Sequence, residues 1–286
     1  MSISVDFSRP PTDKERAKLR ARLERLSRPE SIGRIDNMYA SMPGGLPPAG
    51  LVLRPGFSFR EKDLDPDASD RRAPPRAMRP TATRLITSRG AALRFALTVL
   101  AVVQSVRTPG AKARLHDVLS DIVGSSNSLG WSDLVASDAT DANRGGVFVR
   151  SRDKRARTVR SAIEAMEEAG IARFPDDPGD RDRFSNFVLL NERGRDDVGE
   201  AEEYRVPKKG ESVFAMPHGF VSNGWIHVLE DTEIALLLMV ACRRGGWDEN
   251  GMLAVPADVR LTQYGIHRDA YSAARKTLEW LGLLTV

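Results

Sequence analysis

Between Arg150 and Ser161 the chain reads RSRDKRARTVRS, and the cations Arg152, Lys154, Arg155, Arg157 and Arg160 are interleaved with the hydroxyls of Thr158 and Ser161. Guanidinium and ammonium groups neutralise phosphates, while Arg, Thr and Ser at the start of a helix can reach base edges in a major groove. The chemistry on offer is recognition of a polyanion. Further along, Arg173, Arg181 and Arg183 are expected to touch the backbone or a minor groove, whose negative potential attracts Arg. Glu164, Glu167 and Glu168 follow the basic half and repel phosphate, which confines the expected footprint to the N-terminal side. A second set, Arg268, Ser272, Arg275 and Lys276, is mixed with Asp269 and Glu279, and fits DNA contact or self-association equally well.

These side chains need a helix that turns them outward. Val159, Ile163 and Met166 recur at helical spacing, with Ala162 and Ala169 beside them, and give one apolar stripe. With Val159 at its centre and about 100° per residue, Lys154, Arg157, Thr158 and Ser161 turn outward and Arg160 lies on the flank. Gly170 supplies the left-handed position that ends a helix, and Ile171 to Phe174 continues as an extended run. Pro175 to Asp180 carries turn residues, after which Phe184, Phe187, Val188 and Leu190 suit a returning strand. The competing reading is a solvated charged helix in a module that contacts protein.

The segment from the R-x-T-V-R-x-A-I helix through Glu167-Glu168-Ala169-Gly170-Ile171 resembles the recognition helix and wing of bacterial winged-helix DNA-binding proteins. A second segment, MPHGFVSNGWIHVLEDTEIALLLM from Met216, resembles the start of winged-helix modules in actinobacterial and plasmid- or phage-borne DNA-binding proteins. Its last helix, starting near His267, ends in E-W-L-G-L, in the place that E-E-A-G-I takes in the first unit. The resemblance implies a tandem winged-helix protein of the regulator or replication-initiator type. Leu283 to Val286 reads as an extended end where the second wing hairpin is expected to begin, so that unit is expected to have its wing truncated or absent.

The expected fold is mainly α with small β-hairpin wings, an α+β class with two winged-helix domains at 81–192 and 213–286. A Thr12/Glu15 capping box starts a basic helix to about Leu26, read as a solvated, partly frayed end. Pro, Gly and charge dominate Arg28 to Pro80, so residues 1–80 are expected to be largely disordered, with one extended piece at Phe57 to Phe59. A second linker is expected at 193–212. Ala91 to Val106 reads as a core helix, too short and too polar for a bilayer, and is followed by helices at Ala111 to Val123 and Trp131 to Ala136. Val147 to Val149 suits a short strand. In the second unit Asp231 is the expected N-cap of a helix to Arg243, and a shorter helix follows Pro256.

The 286 residues carry a formal charge of +4, so the signal lies in how the basic residues cluster. The one cysteine, Cys242, excludes an intramolecular disulfide and sits in an apolar run as an inert thiol. No export signal is expected, because Asp6 and Pro10 interrupt the N-terminus; the expected location is the cytoplasm, at the nucleoid. Phosphate-loop, dinucleotide, zinc-protease and nucleophile-elbow motifs do not occur, and the four histidines lack ligand spacing. The expectation is therefore a non-enzyme without cofactor, metal or small-molecule substrate. Its expected partner is double-stranded DNA, bound by a homodimer away from membranes.

Overall fold

The computed structural model describes residues 9–26, 32–41, 50–61, 74–87, 91–125, 128–136, 141–144, 147–180, 182–194, 202–250 and 252–285. Among them the helices are α1 (Asp13–Leu26), α2 (Ile32–Ser41), α3 (Thr81–Arg84), α4 (Ala92–Val106), α5 (Ser151–Glu168), α6 (His218–Ser222), α7 (Trp225–Val228), α8 (Asp231–Cys242), α9 (Ala257–Thr262) and α10 (Arg268–Trp280). The strands form antiparallel pairs: β1 (Leu51–Leu53) with β6 (Phe214–Met216), β2 (Ala142–Arg144) with β3 (Val147–Val149), β4 (Ala172–Arg173) with β5 (Val188–Leu189), and β7 (Trp247–Glu249) with β8 (Met252–Ala254). The fold is thus mixed helix and small antiparallel sheet. No helix among the described residues is long and apolar enough to cross a membrane.

α4 is apolar nearly all round and is buried along most of its length, as its sequence demands. α5 packs on it through Ala156, Val159, Ala162, Ile163 and Met166, whose small members let the two helices approach closely. Trp131 seals one side of this pair, its ring edge-on to Phe95 and Phe187 at 5.9 and 6.0 Å and its Nε1 donating to Leu119 O. α8 packs against α10 in the same manner, and buried Arg260 fixes the α9–α10 corner. Its guanidinium lies 4.8 Å from the Tyr271 ring centroid and donates to Ile266 O. Apolar side chains of both halves join one continuous cluster running from Ile35 to Leu278.

The described parts of residues 1–80 are packed into this body, which corrects the linker expectation for them. Ile35, Tyr39, Leu51, Leu53 and Phe57 are buried. β1 finds its partner more than 160 residues away in β6 (Leu51 opposite Met216), and Gly50, at φ +82°, lets the strands close. A Cβ there would stand 2.0 Å from Met216 O. The extended piece is therefore Leu51–Leu53 instead of Phe57 to Phe59. α1 starts at the expected box, Thr12 N–H donating to Glu15, whose carboxyl is held low by the Thr12 hydroxyl and amide. It is docked, not frayed: buried Arg22 donates to both Glu233 oxygens at 2.9 Å and also binds Glu230.

Four further expectations change. Ala111 to Val123 is not a helix. Its backbone pairs with residues 204–206 through Ala113 N–H to Tyr204 O and Val206 N–H to Ala111 O, leaving only a 3-10 turn at Leu115–Asp117. That pairing buries Tyr204 and Val206, so the described part of the 193–212 linker is structural. The N-cap of α8 is Glu230, while Asp231 is its first helical residue, buried and 3.5 Å from Arg94. Beyond Gly282, Leu283 to Thr285 form no strand, and the hairpin β7–β8 lies between α8 and α9.

Arg54 closes the structure. Its guanidinium donates to both oxygens of Glu192 at 2.9 Å, to Glu211 at 2.7 Å and to Arg205 O at 3.2 Å. Arg54→Ala strands the buried Glu192 charge and should cost about 3–5 kcal/mol in urea unfolding; a loss under about 1 kcal/mol would show the pair to be dispensable. Burial raises the Asp231 carboxyl, against the pull of Arg94. A folded-state value above the unfolded one gives stability that is complete at low pH and lost as pH rises through the shifted value. Asp231→Asn should flatten that fall in thermal midpoint, and an unchanged profile would refute the assignment.

Candidate nucleic-acid interface

α5 begins at the end of the β2–β3 hairpin, with extended Arg150 as its N-cap. The open amide of Ser151 donates to Asp141 Oδ1 at 2.6 Å, and that bond, with Arg150 and Lys154 nearby, holds the Asp141 carboxyl below the usual carboxylate range. Asp141 thus fills part of the anion-favouring end of the helix. Downstream, Gly170 at φ +77° ends α5 as expected, Ile171 N–H donates to Met166 O, and β4 runs into the wing.

The solvent-facing stripe of α5 is Asp153, Arg157, Arg160, Glu164 and Glu168. It is rotated from the expected face, because the start of α4 and residue Arg76 flank the other side. Thr158 and Ser161 are half-buried and line a cleft of 470 Å³ with Arg76, Thr87, Ala91 and Ala92. The Thr158 hydroxyl donates to Lys154 O at 3.1 Å, so it is engaged within its own helix. Arg157 and Arg160 are exposed, and neither guanidinium pairs with a carboxylate among the described residues. Arg152, Lys154 and Arg155 are half-buried at the helix start, and the buried Arg155 Nε has no acceptor.

The β4–β5 hairpin is held to α5 by alternating cations and rings. Arg160 lies 5.9 Å from the Phe184 ring centroid, Phe184 meets Phe174 edge-on at 5.3 Å, and Arg183 sits 4.2 Å over Phe174. Arg183 also approaches Glu167 at 3.7 Å with its side chain only 20% exposed. It braces the β4–β5 hairpin from a largely covered position, in place of the open one expected of it. Arg173 is exposed on β4 and shares a cleft of 310 Å³ with Arg114 and His116, residues that no helical periodicity marks in the sequence. Arg181 lies outside the described residues.

The chain matches no family model, no curated protein and no solved structure. Similarity therefore assigns it to no family.

In the second unit the candidate residues are less open. Arg268 is exposed at the start of α10, but Arg275 stands 3.6 Å from Glu279 with both side chains largely covered. Ser272 and Lys276 are half-buried, and Lys276 is close enough to Glu15 of α1 to help hold that carboxyl low. Trp280 Nε1 donates to Arg9 O at 3.0 Å, which brings the lead-in to α1 against the end of α10. Cys242 is a free, buried thiol pushed up by burial. No metal-binding group of His, Cys, Asp and Glu occurs among the described residues.

Arg183→Ala should loosen the wing without unfolding the body. Amide exchange at Arg173 and Val188 is expected to rise about fivefold, the scale of one lost cation–π contact, at a nearly unchanged thermal midpoint. Unaltered exchange would mean that the stack does not hold the hairpin.

Proposed function

We propose that the chain is a sequence-specific double-stranded DNA-binding protein of tandem winged-helix type, acting as a transcriptional regulator by occupying a site. The observation that carries this reading is the pair Arg157 and Arg160: two exposed guanidinium groups on one face of a helix anchored by its opposite face, with no carboxylate engaging either among the described residues. Arginine forks match phosphate and guanine edges, and a rigid helix holds them in register. Arg150 and Arg152 at the helix start, and Arg173 on the wing strand, extend the cationic surface on this reading. Glu164 and Glu168 at the far end limit the footprint to the first three turns and the wing.

The second unit supports association better than readout. Its central cations are covered or paired, whereas Trp247 and Met252 on β7–β8 are 57% and 69% exposed beside Asp248 and Glu249. A homodimer built in this way would read a repeated or palindromic site with half-sites about 10 base pairs apart.

Selection of bound sequences from a random duplex pool at near-physiological salt tests the reading directly. Enrichment of a repeated motif is expected. Arg157→Ala and Arg160→Ala should each weaken binding, and loss of one phosphate contact should lower the slope of log affinity against log salt by about 1. Equal affinity in both variants would remove α5 from the interface.

A further inference from the structure

Phe148 is the one aromatic side chain of the first half that stands in solvent among the described residues, at 59% exposure. It lies in β3 opposite Asn143, so the two share a face of the hairpin. Side chains alternate along an extended strand, and Arg150 is still extended, which places Phe148 and Arg150 on the same side. Arg152 and Lys154 occupy the first turn of α5 just beyond, and exposed Arg157 follows one turn later. The acids in the neighbourhood are Asp141, bound to the Ser151 amide, and exposed Asp153. An apolar ring is thus displayed at the mouth of a predominantly cationic helix start.

The β7–β8 hairpin provides the contrast. There the exposed rings and thioether share their strands with Asp248 and Glu249, a combination that suits a protein surface and repels nucleic acid. Around Phe148 the cations instead call for a partner that is both anionic and able to cover a flat apolar ring. A nucleic acid has both properties: phosphates for the guanidinium groups and base faces for the ring.

Resting on the DNA-binding reading, we propose that Phe148 is a wedge: with α5 against the duplex, its ring inserts at a base-pair step beside the helix N-terminus and partly unstacks it. Inserted apolar side chains open and kink steps in this way, and flexible pyrimidine–purine steps yield most readily. The hairpin then contributes a preference for deformable sequence that no hydrogen bond to a base edge supplies. Asn143 and Arg150 flank the ring and contact the adjacent backbone.

The test uses the full chain and a 30-base-pair thymine-containing duplex carrying the selected site, with permanganate to report unstacked thymines. Wild type should produce reactive thymines inside its footprint. Phe148→Ala should abolish that reactivity and weaken binding roughly tenfold, the scale of one lost stacking contact, with the salt slope and thermal midpoint unchanged. Phe148→Trp should keep both. Wild-type binding with Phe148→Ala equal in affinity and reactivity overturns the wedge alone and leaves the DNA reading standing. No duplex binding by wild type overturns both. Binding of poly-L-glutamate with the same dependence on Phe148 overturns the wedge in favour of an acidic peptide.

Discussion

A guanidinium group out of water holds this chain together. Arg54 and Glu192 are both almost wholly buried, an arrangement that survives only when every donor is engaged, because desolvating the two charges costs about as much as their attraction returns. Here Glu192, Glu211 and Arg205 O take up the fork, and the Tyr204 ring lies 6.0 Å from its centre. Burial pushes the Glu192 carboxyl up and Arg54 pulls it back. The consequence reaches well past the pair. Residues 203–206 are held between Arg54 on one side and residues 110–113 on the other, and Tyr204 N–H donates to Leu189 O at the edge of β5. The β4–β5 hairpin is therefore the outer end of a ladder whose inner end is an ion pair from the N-terminal region. Gln104 ties the same ladder to α4 by binding both Val52 and the Tyr204 hydroxyl.

On that support α5 presents a surface whose charge changes sign along its length. Asp141 and Asp153 stand among the cations of the first turn, and Glu164 and Glu168 follow Arg157 and Arg160. Exposed charges at such separations are screened by salt within about 8–10 Å, so the carboxylates dilute the attraction locally without cancelling it. A phosphate backbone running along the whole helix would meet repulsion at its far end. A backbone crossing near Arg157 and continuing toward Arg173 would avoid those two glutamates, although Glu203 and Asp117 stand at the cleft that Arg173 shares with Arg114. Electrostatics of this kind sets the crossing direction more firmly than it sets affinity.

Helices with a strong apolar stripe were legible in the sequence, because the periodicity of Val159, Ile163 and Met166 or of Ala274 and Leu278 needs no distant partner to be read. The Gly170 break and the β4–β5 hairpin were legible for the same local reason. What escaped was the pairing with distant partners, together with two local pieces of strand, β2 and the β7–β8 hairpin, which have no alternating apolar pattern to mark them. β1 is three residues in a Pro- and Gly-rich stretch, and only β6 makes it a strand. Ala111 to Val123 has a helical composition, but its backbone groups find residues 204–206 first. At the candidate site, exposure of Arg157 could be read from the helical wheel, which put Arg160 only on the flank. The half-burial of Thr158 and Ser161 could not, since it depends on where α4 begins and on Arg76. Arg183 was misread because a wheel or a turn pattern cannot show that Phe174 and Glu167 converge on it.

The two recognition-like helices are alike in sequence logic and unlike in surroundings, and α1 makes the difference. It docks on α7 and binds Glu230 and Glu233 at the start of α8, while the residues leading into it cap the end of α10 through Trp280. In α10 itself Lys276 interacts with Glu15 of α1 and the Arg275–Glu279 pair is largely covered, while Arg268 at the helix start is exposed. No comparable element lies over Arg157 and Arg160. A chain with two basic helices thus offers one of them openly and spends much of the other on its own packing. On the DNA-binding reading a second contact point then has to come from a second copy of α5, not from α10.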